Sequence, residues 1–171
     1  MAGDAVSENG NAPPGLAPID IIIPTFNNPD YLFPCVRSLL TYQRFHPIHL
    51  IVVNNGHPDS VRADDIGYGT EVIQAGANLG WEWGLNAGLS RSTSEFVVFA
   101  NDDIFIPPSS ARWAWEMLQP FRAPDVAAVG PSSNVVMGMQ NIFTGVGPSW
   151  LSVPFLIGFF VMLRRSALDA I

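Results

Sequence analysis

Three polar residues, Asn101, Asp102 and Asp103, directly follow an apolar run and are the residues of this chain best suited to chemistry. The run, 96–100, is dominated by valine and phenylalanine, which is typical of a strand buried on both faces. Adjacent carboxylates at the end of such a strand favour a hard divalent cation, because these ions prefer oxygen ligands. A solvated turn explains the same residues equally well, since Asn and Asp favour turns. Both interpretations stay open at this point.

Composition narrows the class of protein. The chain has 171 residues, enough for one domain with a sizeable core. Apolar residues make up 48% and charged residues 13%, which favours a folded globular protein over a disordered one. The formal net charge is −7, all basic residues are arginine, and no basic patch occurs. Nucleic acid is therefore not an expected partner.

Cysteine content and hydropathy indicate the cellular setting. The single cysteine, Cys35, excludes an internal disulfide framework and suits a reducing compartment. Its apolar neighbours predict a buried packing role rather than a nucleophile. The most apolar stretch, 151–163, is interrupted by serine, proline and glycine and is shorter than the roughly 20 residues of a spanning helix, so no transmembrane segment is predicted. Residues 1–18 lack the apolar core of a signal peptide and predict a flexible N-terminal tail.

Apolar runs alternate with segments of helical periodicity over 19–171. This alternation predicts an α/β fold, a three-layer α/β/α sandwich with a mostly parallel sheet. We expect the first helix to begin near Pro34 or to kink there. Residues 131–157, rich in Gly, Pro and Ser, are typical of a loop region that faces a substrate. Strands are predicted at 19–24, 49–53, 71–74, 96–100, 126–129 and 159–163, and helices at 32–40, 81–90 and 108–118.

Several nucleotide-binding and hydrolytic motifs are absent from the sequence. Pro-Thr-Phe-Asn-Asn follows the first strand, where a dinucleotide-binding domain would have G-x-G-x-x-G. The later segment 76–80 does not fit that pattern either. The chain also has no P-loop, no H-E-x-x-H and no G-x-S-x-G.

Six short motifs nevertheless occur in a fixed order between residue 19 and the end of the chain. Each is weak alone, but the ordered series is specific. The motifs are I-I-P-T-F-N-N-P-D-Y-L (22–32), V-V-N-N-G (52–56), A-N-L-G-W-E-W-G-L-N-A-G-L (77–89), V-V-F-A-N-D-D (97–103), V-A-A-V-G-P (126–131) and G-F-F-V-M-L-R-R (158–165). The series resembles the family 2 glycosyltransferases of the GT-A fold.

The resemblance implies an activity and a set of partners. It implies a nucleotide-sugar donor, with a UDP- or dTDP-sugar favoured, and inverting transfer of the sugar to a hydroxyl of a glycan or other acceptor. It further implies a role in polysaccharide biosynthesis. A cytoplasmic location is expected, with peripheral association at the inner membrane face as the alternative.

The resemblance also assigns a nucleotide-binding edge. Pro24, Thr25 and Asn27 match the loop after the first strand, which lies along the nucleotide in this family. Asn54 stands where the family usually has an aspartate that accepts a hydrogen bond from the base. An amide can replace it as acceptor and can also donate to a base carbonyl, so the identity of the base stays open.

A second segment of the donor site corresponds to the motif at 77–89. Asn78, Gly80 and Asn86 match the family's N-x-G…N-x-G residues, which lie beside the nucleotide. Gly80 would allow the backbone to approach the ligand closely. A capping or packing role explains Asn86 equally well.

The cluster at 101–103 aligns with the family's D-x-D motif, with asparagine at the first position. Mg²⁺ or Mn²⁺ held there would bridge the two phosphates and balance the charge that grows on the leaving group. Asp103 is assigned as the direct metal ligand, and Asn101 to the ribose or a metal-bound water. Asp102 is assigned to the nucleotide-sugar site, with exposure to solvent as the alternative.

The general base has no match in this chain. The resemblance implies a base downstream of the helix after 158–163, so it is expected beyond Ile171, and Asp169 does not match it. The 171 residues are therefore expected to transfer sugar slowly or not at all, because a positioned base contributes about 10²–10⁴ in rate. We also expect Phe155, Phe159 and Phe160 to be only partly buried.

Two other functions are alternatives to a transferase. A module that binds a nucleotide sugar without transferring it explains the same donor motifs. A nucleotidyltransferase is disfavoured, because it would normally carry a glycine-rich loop with Arg or Lys after the first strand.

Overall fold

The computed structural model describes residues 18–42, 46–67, 69–142 and 150–171. The predicted N-terminal tail lies outside the described residues except for Pro18. Within the described ranges, no helix is both long and apolar enough to cross a membrane.

Six strands and five α-helices are present in the described part of the chain. The strands are β1 (Ile19–Thr25), β2 (Ile48–Asn54), β3 (Thr70–Gln74), β4 (Phe96–Ala100), β5 (Ala128–Val129) and β6 (Phe160–Arg164). The helices are α1 (Pro29–Thr41), α2 (Ala63–Ile66), α3 (Gly80–Leu89), α4 (Trp113–Leu118) and α5 (Arg165–Leu168).

The strands form one mostly parallel sheet in the order β3-β2-β1-β4-β6-β5. β3, β2, β1 and β4 are parallel, whereas β6 runs antiparallel to both β4 and β5. The carboxyl ends of β1, β2 and β4 therefore meet at one edge, where open α/β sheets bind ligands. This edge, which we call the carboxyl edge, carries Pro24, Asn54 and Asn101.

Helices cover both faces of the sheet because successive residues of β1 point to opposite sides. Ile21 and Ile23 belong to a core that includes α1 and α4 residues, and Ile22 belongs to a second core with Leu85 of α3. All of these isoleucines are fully buried. The predicted three-layer sandwich is thereby confirmed.

The expectation that the first helix begins near Pro34 was wrong. α1 begins at Pro29 and continues through Pro34, whose side chain faces solvent. A proline inside a helix costs about 3 kcal/mol, partly through a lost hydrogen bond. Leu32, Val36 and Leu39 are completely or almost completely buried against the sheet, and this burial outweighs that cost.

Several other boundaries also differ. Residues 108–118 are divided into a 3₁₀ turn at Pro108–Ser110 and the shorter α4. The strand predicted at 126–129 contains only Ala128–Val129. The four-residue helix α2 was not predicted, because one turn is too short to show apolar periodicity.

The three phenylalanines near β6 do not share one environment. Phe155 is 69% exposed and Phe159 is half-buried, as expected. The expectation for Phe160 was wrong, because it is only 1% exposed. Phe160 pairs with Ala100 at the start of β6 and meets the Trp113 ring edge to face, with centroids 5.2 Å apart.

A buried carboxylate stabilises the opposite edge of the sheet. Asp20 of β1 is 2% exposed, and its Oδ2 accepts hydrogen bonds from the Ser92 hydroxyl (2.6 Å) and the Thr93 and Ser94 amides (2.8 and 2.9 Å). Burial by itself would raise the pKa of this carboxyl. The hydrogen bonds outweigh burial and hold the pKa below its ordinary value.

Asp20→Asn is expected to lower the free energy of unfolding at pH 7 by about 2–3 kcal/mol, because three donors lose a charged acceptor. A lowered pKa in the folded state stabilises the protein above the unfolded-state pKa of about 3.9. This contribution disappears as the pH falls through the folded-state pKa. Urea unfolding from pH 7 to 3 should therefore show that the difference in the free energy of unfolding between wild type and variant becomes smaller as the pH falls. A difference that grows as the pH falls would contradict the lowered pKa of Asp20.

Candidate functional site

Three loops meet at the carboxyl edge, and polar side chains join them. They are the β1 loop (25–28), the β2 loop (54–57) and the β4 loop (101–103). The β1 and β4 loops are joined through Asp102, whose Oδ2 accepts hydrogen bonds from Thr25 Oγ1 (2.6 Å) and Asn28 Nδ2 (3.2 Å). The half-buried Asp102 side chain therefore faces the β1 loop and is not left to solvent.

Asn27 joins the β1 loop to the β2 loop. Its Oδ1 accepts a hydrogen bond from the His57 amide at 2.9 Å, and its φ of 51° lies in the left-handed region that Asn tolerates. A Cβ on Gly56 would lie 2.2 Å from Asn27 Oδ1, so only glycine fits there without displacing the β1 loop.

Asn54 lies at the end of β2, but its amide is used inside the protein. The residue is fully buried, its Nδ2 donates to His57 O (3.0 Å) and Gln74 Oε1 (2.9 Å), and its Oδ1 accepts from the Gly56 amide (2.9 Å). The structure therefore does not place this side chain on the surface of the crevice, where a base contact would require it. The register of β2 and β3, which sets Asn54 beside Gln74, produces this arrangement.

Asn55 is a residue of the site that sequence analysis missed. It is 3% exposed, its backbone amide donates to Thr25 O (2.8 Å), and its Nδ2 donates to Gly80 O (3.0 Å). Its Oδ1 is buried and has no hydrogen-bond partner among the described residues. The only signal in the sequence was its place beside Asn54 in the V-V-N-N-G motif.

The N-terminal half of α3 is held against the carboxyl edge. A Cβ on Gly84 would lie 3.0 Å from both Asn55 Nδ2 and Pro24 Cβ, so the buried Pro24 packs beneath this helix. Asn78 Oδ1 accepts a hydrogen bond from the Gly80 amide at 2.9 Å. Gly80 has a φ of 74°, which favours glycine, and no atom of the described residues lies within 4 Å of the position of a Cβ.

Asn86 lies apart from this arrangement. It is exposed on α3, almost two turns beyond Gly80, where the helix begins. The structure thus brings together Pro24, Asn55 and Gly80 but not Asn86.

The donor set at 101–103 fits a hard divalent cation. Asp103 is exposed, and its carboxylate accepts no hydrogen bond from the described part of the chain, whereas Asp102 Oδ2 has two donors. No group of three or more His, Cys, Asp or Glu side chains that could hold a metal occurs among the described residues. Mg²⁺ and Mn²⁺ accept one or two protein carboxylates when phosphate and water supply the other oxygens. The site therefore suits a cation that arrives with a phosphate-bearing ligand.

Cys35 lies directly beneath the β4 loop. It is 1% exposed, and its Sγ is 3.7 Å from Asn101 O. Burial, with the nearby charges of Asp102 and Asp103, raises the pKa of the thiol to about 12. The predicted packing role is confirmed.

The Cys35 thiol is expected to resist disulfide-exchange reagents in the folded protein at pH 8. With a pKa of about 12, only on the order of one thiol in 10⁴ is ionised at that pH, and the reagent cannot reach it. The absorbance of the thiolate that the reagent releases should stay constant for the native protein. In urea it should rise to the value for one thiol per chain. Native labelling at the rate measured in urea would show that Cys35 is accessible.

Comparison with known proteins gives a consistent result. The family model "Glycosyl transferase family 2" matches residues 20–171. An uncharacterised glycosyltransferase of Rickettsia typhi is 30% identical over 91 residues, which are 52% of this chain and 28% of that protein. A second, from Rickettsia prowazekii, is 29% identical with the same coverage.

Solved glycosyltransferase structures share the fold. A mannosyltransferase from Pyrobaculum calidifontis, PcManGT, in complex with GDP-Man and Mn²⁺, has a TM-score of 0.68 at 19% identity and matches 91% of this chain. S. aureus TarS in complex with UDP has a TM-score of 0.67 at 20% identity and matches 89%. The chain spans 46% and 48% of these two structures and 28% of the Rickettsia proteins.

Proposed function

The chain belongs to glycosyl transferase family 2, and from this membership we propose that its carboxyl edge binds a nucleoside-diphosphate sugar together with a divalent cation. The supporting observation is the assembly of the β1, β2 and β4 loops at one edge, with the exposed carboxylate of Asp103 among them. The proposed reaction is inverting transfer of the sugar to a hydroxyl of a glycan or other acceptor.

Each predicted residue has a proposed role in this site. Asp103 would hold Mg²⁺ or Mn²⁺, and the bound ion would neutralise the charge that develops on the diphosphate. Asn101 would contact the ribose or a metal-bound water. Asn78 and Gly80 would shape the turn before α3, and Asn86 would reach the ligand from the exposed side of that helix.

Other residues would form the wall of the site. Thr25 and Asp102 would hold the β1 loop, and Asn27 would present its backbone to the nucleotide. Pro24 would support α3, and Asn54 would shape the β2 loop from inside. We therefore propose that backbone groups of these loops recognise the base.

The identity of the nucleotide and the location in the cell are also proposals. PcManGT was solved with a guanine nucleotide sugar and TarS with UDP, so both bases occur on this fold. We favour a uracil or thymine nucleotide for this chain. A cytoplasmic site of action, with peripheral attachment to the inner membrane face, and a role in polysaccharide biosynthesis complete the proposal.

Nucleotide binding with and without metal tests the proposal. Thermal unfolding is measured with UDP, dTDP and GDP, each in Mn²⁺, in Mg²⁺ and in EDTA. A ligand at 100 times its Kd stabilises a protein by about 2.7 kcal/mol, which corresponds to roughly 5–10 °C for a domain of this size. We expect such a shift for at least one diphosphate with metal and a clearly smaller one in EDTA. Equal shifts in metal and EDTA, or no shift with any nucleotide, would contradict the proposal.

A transfer assay separates an enzyme from a binding module. Release of nucleoside diphosphate from the preferred donor is followed in the presence of a panel of hydroxyl acceptors. Binding without turnover would favour the module.

A further inference from the structure

One carboxylate oxygen holds the β1 loop and the β4 loop together. Asp102 Oδ2 accepts one hydrogen bond from Thr25 Oγ1 at 2.6 Å and another from Asn28 Nδ2 at 3.2 Å. The shorter contact lies in the range of charge-assisted O–H···O⁻ bonds, which are about twice as strong as neutral ones. The two donors belong to residues 77 and 74 positions away in the sequence.

The register of the sheet explains why these residues meet. The backbone ladder of β1 and β4 ends at the pair Ile22 and Phe99. Continuing the same register by three residues places Thr25 opposite Asp102. The side-chain bond therefore extends the β1–β4 pairing beyond the last backbone pair.

Both loops are also attached to neighbouring strands. The Asn101 amide donates to Phe159 O at 2.9 Å, just before β6, and Thr25 O accepts from the Asn55 amide at 2.8 Å, just after β2. The Asp102 contact is thus the central link in a row of bonds that crosses the carboxyl edge from β2 to β6.

We infer that Asp102 is a positioning residue that fixes the β1 loop and is not a ligand of the proposed cation, which Asp103 would hold. One oxygen of Asp102 is already shared between two donors, whereas the Asp103 carboxylate is exposed without a protein partner in the described chain. We call Asp102, Thr25 and Asn28 the carboxylate latch. Its consequence for nucleotide binding rests on the proposed function, but its consequence for stability does not.

A double-mutant cycle in urea unfolding tests the latch without any ligand. Thr25→Val removes the hydroxyl at nearly constant shape, and Asp102→Ala removes the acceptor. We expect each single variant to lower the equilibrium ratio of folded to unfolded protein about tenfold. The ratio of folded to unfolded protein in the double variant should then lie within about threefold of the ratio in the less stable single variant. The control pair, Thr25→Val with Asp103→Ala, should be additive, and additivity in the Asp102 pair would overturn the inference.

Metal titration provides the second arm. The readout is the ratio of nucleotide affinity in Mn²⁺ to that in EDTA. Asp102→Asn should weaken nucleotide binding several-fold in both conditions, because the β1 loop loses its charged acceptor. It should leave this ratio unchanged, because the Asp103 carboxylate is retained. A ratio that falls to one in Asp102→Asn but persists in Asp103→Asn would make Asp102 the metal ligand and overturn the inference. If wild type binds no nucleotide, the proposed function fails, and the unfolding cycle still decides the latch.

Discussion

Asp103→Ala is expected to abolish the metal dependence of nucleoside-diphosphate binding while the protein stays folded. The variant removes the one carboxylate of the β4 loop that is exposed and has no protein hydrogen bond in the described chain. Because loss of an outer-shell partner alone typically costs 10- to 100-fold in metal affinity, loss of a direct ligand should cost about 100-fold or more. Calorimetric titration of UDP, dTDP and GDP in Mn²⁺ and in EDTA measures the effect directly.

The matched control for this variant is Asp64→Ala. Asp64 is an exposed carboxylate on α2, so the control removes the same charge from a different part of the surface. It should keep wild-type affinity and wild-type metal dependence. Wild-type metal dependence in Asp103→Ala would show that the cation is held elsewhere. Urea unfolding should give nearly equal midpoints for wild type and both variants, because exposed side chains contribute little to stability.

Gly88→Ala is expected to lower the free energy of unfolding by about 3 kcal/mol, close to the upper end of what overpacking usually costs. A Cβ on Gly88 would lie 2.3 Å from Ile22 Cγ2, and Ile22 is fully buried in the middle of the sheet. Alanine gains about 1 kcal/mol over glycine in helix propensity, which is smaller than the clash. The thermal midpoint should fall by roughly 6–12 °C.

Gly158→Ala is the control for the added methyl group. Among the described residues, a Cβ at Gly158 would meet only the Trp81 ring, at 3.7 Å, an ordinary van der Waals distance. Its unfolding midpoint should stay within a few degrees of wild type. A Gly88→Ala variant as stable as wild type would show that α3 does not approach β1 as closely as described, and the position of the α3 first turn at the site would have to be revised.

The carboxyl edge was predictable because its signals are local. Runs of β-branched and aromatic residues define β1, β2 and β4, and each run ends in polar residues that a buried strand cannot continue. Alternation of strands with amphipathic segments then makes a parallel sheet the expected result, and parallel strands place their carboxyl ends together. The sequence alone therefore determined the fold class, the edge of the sheet that carries the loops, and the family.

The roles of individual side chains at that edge depended on partners distant in the chain. Asn54 donates a hydrogen bond to Gln74, 20 residues away, and Asp102 accepts one from Thr25, 77 residues away. Asn55 is positioned by its hydrogen bond to Gly80 O. The antiparallel direction of β6 follows from its pairing with β4. Residue types show which groups can donate or accept a hydrogen bond. Only the register of the strands and the docking of α3 bring particular donors within about 3 Å of particular acceptors. The tertiary structure therefore decided which polar side chains form hydrogen bonds inside the protein and which stay free for a ligand.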